Sequence, residues 1–296
     1  MSTSIGPSGE LIVATTTADP IATHGVRHLD PTLGGPGRLP GPAPYPLEIH
    51  THGASRPVVR VEQVDLAAPT VQPVPGGGYL LVGARARWHG ERAEPNAVVL
   101  DANGHHLRSF CIGDGVAHVQ VSEAGAIWVG YTDEGVYGNS GWGPPDGPAP
   151  LGAGGLVRWT LEGRKDWVFR GSDVVPPIDD CYAMNLDGES VWASYYSDFP
   201  VVHVAPSGDI APWPSLGSGG RALLVGDGRV GIAGGYRELA DRLAVADLSG
   251  GARRAVRIVL PDGSPLPPAA ELMARGSALH TVIGGVWLSL DLDEVT

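Results

Sequence analysis

The sequence predicts an all-β fold, a single β-propeller, on three observations: an excess of turn formers, enough apolar residues for a core, and a strand-pair unit that recurs along the chain. Of 296 residues, 44 are Gly and 27 are Pro, the two poorest helix formers. Hydrophobic residues nevertheless make up 43%, with eight Trp and no strict Gly-X-Y period, so neither disorder nor a collagen-like rod fits. What remains is a folded, turn-rich β protein.

The repeat carries the prediction further. Its clearest copy runs His118-Val-Gln-Val-Ser-Glu-Ala-Gly-Ala-Ile-Trp-Val-Gly-Tyr131: an alternating strand, a Gly turn, then a strand centred on Trp128. Tyr182–Tyr195 repeats it with Trp192 in the matching place, and Thr70–Ala84 with Tyr79 there. Ala222–Gly235 repeats it around Gly231, and Leu272–Gly285 around His280. The intervals between these centres, 49, 64, 39 and 49 residues, bracket the roughly 40–50 residues of a four-stranded blade. The long one contains a Pro/Gly insertion, Val136–Gly155.

A second hairpin follows each of the first four copies. These turn at Asn103-Gly104, Glu162-Gly163, Ser207-Gly208 and Gly250-Gly251, where Gly supplies the positive φ that tight hairpins need. Five blades thus occupy residues 69–296, the fifth ending at Val286–Leu292 without an outer strand. Residues 1–68 supply strands at Leu11–Thr17, Leu47–His52 and Val58–Val64, with a Pro/Gly loop at 31–46. They are read as most of a sixth blade together with an N-terminal strand that closes the ring, which removes exposed sheet edges. The expectation is one domain over 1–296 with six four-stranded blades, five or seven being the alternatives.

Composition narrows the function. The formal net charge is −12 and no basic run occurs, which argues against nucleic acid and against an anionic membrane surface as partners. Lys165 is the single lysine, so neither a Schiff base nor a P-loop is well served. No basic-then-apolar leader and no stretch of 18 apolar residues is present. Cys111 and Cys181 are too few for a disulfide framework. The expectation is a cytoplasmic protein, and the Arg, Ala, Gly and Pro bias suits a GC-rich bacterial genome.

The turns within the hairpins are tight, whereas Arg85–Asn96, Thr132–Gly155 and Tyr236–Arg242 are long and rich in charge and aromatics. Propeller topology puts these on one face with the blade-to-blade connections, and sites gather on loops held by a rigid scaffold. At the blade entries on that face stand His118, a candidate base, then Asp179-Asp180 and Tyr182, then Arg221. Asp180 and Tyr182 join His118 as candidate catalytic residues, and Asp179 with Asp180 could hold a divalent cation such as Mg or Ca. Turn capping by the Asp pair is the plainer alternative.

The candidate ligand contacts are Arg221, Glu134, Trp142, Tyr196, Asp198, Tyr236 and Arg237, with the Trp142 loop as a lid. Arg85, Arg87 and Trp88 could make an anion-binding corner, though a solvated loop fits them as well. His50 and His52 share a strand face and, with His24 and His28, suggest a zinc site that solvated histidines would explain more simply. Trp128 and Trp192, mid-strand at the repeat's packing position, read as core.

Around Trp128 and Trp192 the pattern of a strand, an acidic Gly turn and Ile/Val-Trp-small resembles bacterial streptogramin-lyase-type and lactonase-like propellers, over about Pro69–Trp213. The resemblance implies a six- or seven-bladed ring with its site at the channel mouth. Such lactonases use a Glu, an Asn and an Asp from separate blades, a trio not placed here. Streptogramin lyases rely on a His with acidic and metal partners, of which His118 is a loose counterpart, and no catalytic role is carried over. Together these readings point to a small-molecule enzyme at the channel mouth, an acid/base or metal-assisted lyase, cyclase or hydrolase. The alternative is a non-catalytic propeller that binds a protein partner or metabolite on the same face.

Overall fold

The computed structural model describes residues 1–17, 44–54, 56–145, 147–217, 219–250 and 253–295. It is a six-bladed β-propeller. The first blade holds β1 (Ser2–Ile5), β2 (Leu11–Thr15), β3 (Tyr45–His52) and β4 (Val59–Val64); the second holds β5 (Thr70–Pro73), β6 (Tyr79–Val82), β7 (Ala97–Leu100) and β8 (His106–Phe110). The third comprises β9 (Val116–Val121), β10 (Ile127–Tyr131), β11 (Leu156–Trp159) and β12 (Lys165–Val168). The fourth comprises β13 (Asp180–Asp187), β14 (Ser190–Tyr196), β15 (Val201–Val204) and β16 (Ile210–Trp213). β17 (Ala222–Gly226), β18 (Arg229–Ala233), β19 (Arg242–Asp247) and β20 (Arg253–Arg257) form the fifth blade. The sixth has three strands among the described residues, β21 (Met273–Arg275), β22 (Ala278–Ile283) and β23 (Val286–Asp291). A short helix, α1 (Asp133–Tyr137), opens the long insertion of the third blade.

Two expectations are corrected. Among the described residues the N-terminal segment lends no strand to the last blade: Ser2–Ile5, unread in the sequence, becomes the innermost strand of a complete first blade. The ring closes instead by packing of β21 against β1, with Thr3 Oγ1 donating to Glu271 at 2.9 Å. In the second blade the residue equivalent to Trp128 is Leu80, not Tyr79, since Gln72 pairs with Leu80 as Gln120 pairs with Trp128. A one-residue slip reverses the face of every side chain. Leu80 therefore packs between the second and third blades, and Tyr79 between the first and second. Trp128 and Trp192 lie between successive blades as core. His24, His28 and most of the 31–46 loop fall outside the described residues.

Side-chain amides tie the inner strands together. Gln72 donates to Ile5 O in the first blade (3.0 Å) and accepts from Val121 N in the third (3.2 Å). Gln120 accepts from Leu186 N at 2.8 Å and donates across the ring to Ala274 O at 2.9 Å. Asn185 donates to Leu223 O (2.7 Å) and Gly276 O (2.8 Å) and accepts from Gly276 N (3.0 Å). Arg275 donates to Val121 O at 2.8 Å. Burial pushes its guanidinium down to about 10, against the opposing pull of Glu10, Glu123 and Glu189, so it stays charged. These groups lie toward the tight-turn ends of the inner strands and give the central channel a floor.

Asn185→Leu would strip Leu223 O of its amide donor, while Gly276 keeps a backbone bond at each group, O from Val225 N (2.8 Å) and N to Leu186 O (3.2 Å). One buried acceptor left unpaired costs about 1–3 kcal/mol, so urea denaturation is expected to show a loss in that range; a loss well below about 1 kcal/mol would show that the amide ties nothing together.

Candidate functional site

Between the inner strands lies a cavity of about 250 Å³; Asp180, Tyr182 and Tyr236 are not in its lining. Its polar lining includes Thr3, Thr70, Gln120, His118, Arg221 and Glu271. His118 and Arg221, at entries two blades apart, share one cavity. His118 reaches solvent only partly, and the surrounding protein holds its imidazole below the usual range, opposed by hydrogen bonding to the backbone of Tyr182 and Cys181. The ring is therefore mostly neutral at pH 7, the form that accepts a proton. Gly130 permits this packing, since a Cβ there would lie 2.6 Å from Cys181 Sγ and 3.4 Å from His118 Cδ2. Arg221 donates through Nε to Gly234 O (3.2 Å) and through Nη1 to Ala270 O (3.0 Å). These bonds fix a cation in the wall.

The rim beside His118 is aromatic and acidic. The pairing of β13 with β14 shifts register between Cys181 and Ala183, leaving Tyr182 without an opposite residue. Such bulges re-aim side chains, and here the Tyr182 hydroxyl meets that of Tyr236 at 2.6 Å. The hydrogen bond to Tyr236, with burial, pushes Tyr182 up to about 12. Phe199 packs edge-on against Tyr182, Tyr196 and Tyr236 at 5.1, 5.9 and 6.2 Å. Asp198, Phe199 and Arg237 all adopt positive φ, a cluster of uncommon conformations for non-Gly residues that marks functional loops. Beneath Tyr236 lies Gly219 (φ +68°), where a Cβ would strike the ring.

Asp180, one residue before the bulge, has its carboxyl pushed up to about 6 by burial first and by Asp133 second. It is thus a protonatable acid near neutral pH, next to a phenol that stays protonated. Asp179 turns away and accepts a hydrogen bond from Tyr137. Among the described residues no three His, Cys, Asp or Glu side chains are grouped to hold a metal ion; His50 lies instead near Glu48 (3.6 Å) and Thr15 (3.4 Å).

Other candidates serve the loop rather than the cavity. Trp142 is buried, donates to Ala86 O at 2.7 Å and packs on Trp88 at 5.4 Å. Glu134 pairs with Arg85, which also bonds Asp114 at 2.8 Å and Ser140 at 3.1 Å. Asp114, 3% exposed, additionally accepts from Ala86 N at 2.8 Å. Sequence reasoning missed Asp114; its position between two Gly in a blade-to-blade connection was the one available signal. Asp198 and Arg237 are exposed at loop tips. Cys111 and Cys181 are free thiols, both pushed up by burial, Cys111 to about 11.

Comparison with known proteins agrees on the fold. The YxzG family model matches residues 169–208, the segment that enters and forms most of the fourth blade. No curated protein matches the chain. A chain in the crystal structure of a nidogen/laminin complex is similar with a TM-score of 0.52 at 7% identity, over 86% of this chain and 89% of that one. A streptogramin B lyase gives 0.48 at 11% identity, covering 79% and 68%. A gluconolactonase from Xanthomonas campestris gives 0.47 at 14%, covering 83% and 82%. The propellers it resembles thus include a lyase and a lactonase, along with a chain from a protein complex. No helix is long and apolar enough to cross a membrane among the described residues.

The raised pKa of Asp180 has a thermodynamic sign. A carboxyl higher in the folded than in the unfolded state stabilises the fold at low pH, and that stability is lost as pH rises from about 4 to about 6. Asp180→Asn, which mimics the protonated form, is expected to raise Tm by about 2–4 °C at pH 7.5, allowing for solvent screening. Below pH 4 the variant should melt with the wild type. Thermal scans across pH check this, and an equal shift at all pH values would show that Asp180 is not the titrating group.

Proposed function

We propose that this protein is a small-molecule enzyme working by proton transfer at the channel mouth. The observation that carries the reading is the polar cavity that His118 and Arg221 share, with the Asp180 carboxyl, raised to about 6, at the start of β13, which packs against the His118 strand. Neutral His118 acts as base, and protonated Asp180 or the Tyr182–Tyr236 pair as acid. A catalytic pKa close to the working pH is the condition under which such groups are most effective. Arg221 supplies fixed positive charge in the cavity wall, suited to a carboxylate or to an oxyanion that develops during reaction. A lyase, cyclase or hydrolase acting on a small anionic molecule fits this set. No step requires a metal.

A second reading has its own observation. Tyr137, Tyr196, Tyr236 and Leu239 are all exposed on the long-loop face, as a non-catalytic binder of a protein or metabolite would present them. His118 and Asp180 form no hydrogen bond with each other in the unliganded protein.

Incubating the wild-type protein with a cell metabolite extract, followed by mass spectrometry, separates the two. Consumption of a small acid, slowed about 10²-fold or more by His118→Ala or Asp180→Asn, with a rate limb near pH 6, supports the enzyme. A metabolite that is retained and never converted, or turnover untouched by both substitutions, rejects it.

A further inference from the structure

The sixth blade is one strand short among the described residues, and its outer edge differs in chemistry from the other five. Those edges carry the residues that discourage strand pairing: Arg60 on β4, Arg108 on β8, Lys165 on β12, Pro212 on β16, and Arg253, Arg254 and Arg257 on β20. β23 reads Val-Trp-Leu-Ser-Leu-Asp, with no Lys, Arg or Pro. Its backbone groups on the side away from β22 have no strand beside them among the described residues.

A groove of about 540 Å³ runs alongside. Val256, Ile258 and Leu260 of the fifth-blade side form one wall, and Leu288 and Leu290 of β23 the other. Thr281, opposite Leu288 on the same face of the sheet, is 7% exposed and its hydroxyl has no hydrogen-bond partner. An apolar channel with an unpaired backbone edge and one unsatisfied hydroxyl is what remains when an outer strand is missing. The resident outer strands show what fills such a place: β4 buries Val59 and Val61 while Arg60 faces water, and β20 places Val256 between arginines.

Charge adds a direction. At the C-terminal end of β23, Glu294 lines the groove, while Arg257 of its lining is already paired with Asp241 at 2.6 Å, and Asp227, Asp291 and Asp293 lie close together. Asp293 raises the Asp227 carboxyl through a hydrogen bond and its charge, while Arg229, at 2.7 Å from Asp293, offsets only part of that repulsion. A strand added antiparallel to β23 would bring its N-terminal end here, where a basic residue relieves the crowding.

We infer that the free edge of β23 receives an extended, basic segment of a protein partner, with alternating apolar side chains, as the fourth strand of the sixth blade. Main-chain hydrogen bonds supply affinity in such additions, and pockets for alternate side chains supply specificity. The surface lies on the outer edge of the ring and does not depend on the channel chemistry.

The probe is an acetylated, amidated peptide of alternating Arg and Val, six residues long, titrated into the full chain by calorimetry. One-to-one binding is expected, weakened by salt, with slowed amide exchange confined to residues 286–291. A peptide of the same composition with its Arg and Val in two blocks, and one N-methylated at alternate amides, should bind at least about tenfold more weakly. Leu288→Lys, which places a guard on the edge as the other blades do, should cost about the same factor. Circular dichroism and Tm matching the wild type establish that this variant is folded; should it misfold, the N-methylated peptide makes the same comparison on the unaltered protein. Absence of binding, equal binding of the block peptide, or protection elsewhere overturns the inference. So does a dimer, seen by sedimentation, that pairs through β23 and excludes the peptide, because the occupant would then be a second copy.

Discussion

The amide belt around the channel floor is the constraint on which the rest of the structure depends. Among the described residues no backbone ladder runs between the six sheets, so isolated backbone bonds such as Val225 N to Gly276 O (2.8 Å), interlocking side chains and the packing of successive inner strands hold the ring. Apolar packing between blades gives most of the burial, yet it is non-directional and does not by itself fix how far one inner strand slides past the next. Hydrogen bonds from Gln72, Gln120 and Asn185 to backbone groups of neighbouring or facing blades do fix it. Buried amides that lose a partner cost more than they contribute when paired, so this belt tolerates one arrangement of the ring and penalises others.

The location of the candidate site follows from that floor. The amides occupy the channel toward the tight-turn ends, and the inner strands deliver their first residues, Thr70, His118 and Ala222 among them, to the cavity beside them. A regular strand would alternate those residues between faces. The register shifts at Ala117 and Tyr182 break the alternation where the strands enter, and the second brings a phenol toward Tyr236 on the next blade. Burial by the same walls lowers His118 and raises Asp180, so the two opposite displacements have one cause. Both displacements favour the neutral form: His118 is mostly neutral at pH 7, whereas Asp180, at about 6, takes up its proton only as the pH falls toward that value.

Legibility in the sequence followed the range of the interactions. The blade unit was readable because hairpins and alternation are local, and Trp128 and Trp192 marked its register. Because entry positions recur with the repeat, the sequence points to His118, Asp180, Tyr182 and Arg221 as candidates, of which His118 and Arg221 line one cavity. Gln72, Gln120 and Asn185 sat in the quoted copies and passed as ordinary strand residues, because their partners lie 38 to 154 positions away. Tyr79 was taken for Leu80 because an aromatic attracts attention that a register count does not. Trp142 looked like a lid, yet its indole N–H already has an acceptor in Ala86; the Arg85–Asp114–Glu134 arrangement that anchors the same loop joins three segments that nothing local connects. Ser2–Ile5 is too short and polar to announce a strand, and it becomes one because the ring leaves a vacancy for it.

That last point bears on how the ring is completed. In many closed sheets the two chain ends share one blade, so closure is a matter of main-chain pairing. Here the first and last described strands lie in separate sheets, and the joint between them rests on the packing of β21 on β1, on Trp287 against Gly53 and on Thr3 bonded to Glu271. Among the described residues no strand pairs with the outer side of β23, in the blade next to that joint. The excess of Gly and Pro therefore divides by position. Gly in the short turns sets the inner-strand lengths on the floor side, whereas Pro144, Pro145, Pro148 and Pro150 sit in the third-blade insertion on the opposite face. The two faces of one ring thereby differ in kind, tight turns on one and the long loops that carry the proposed site on the other.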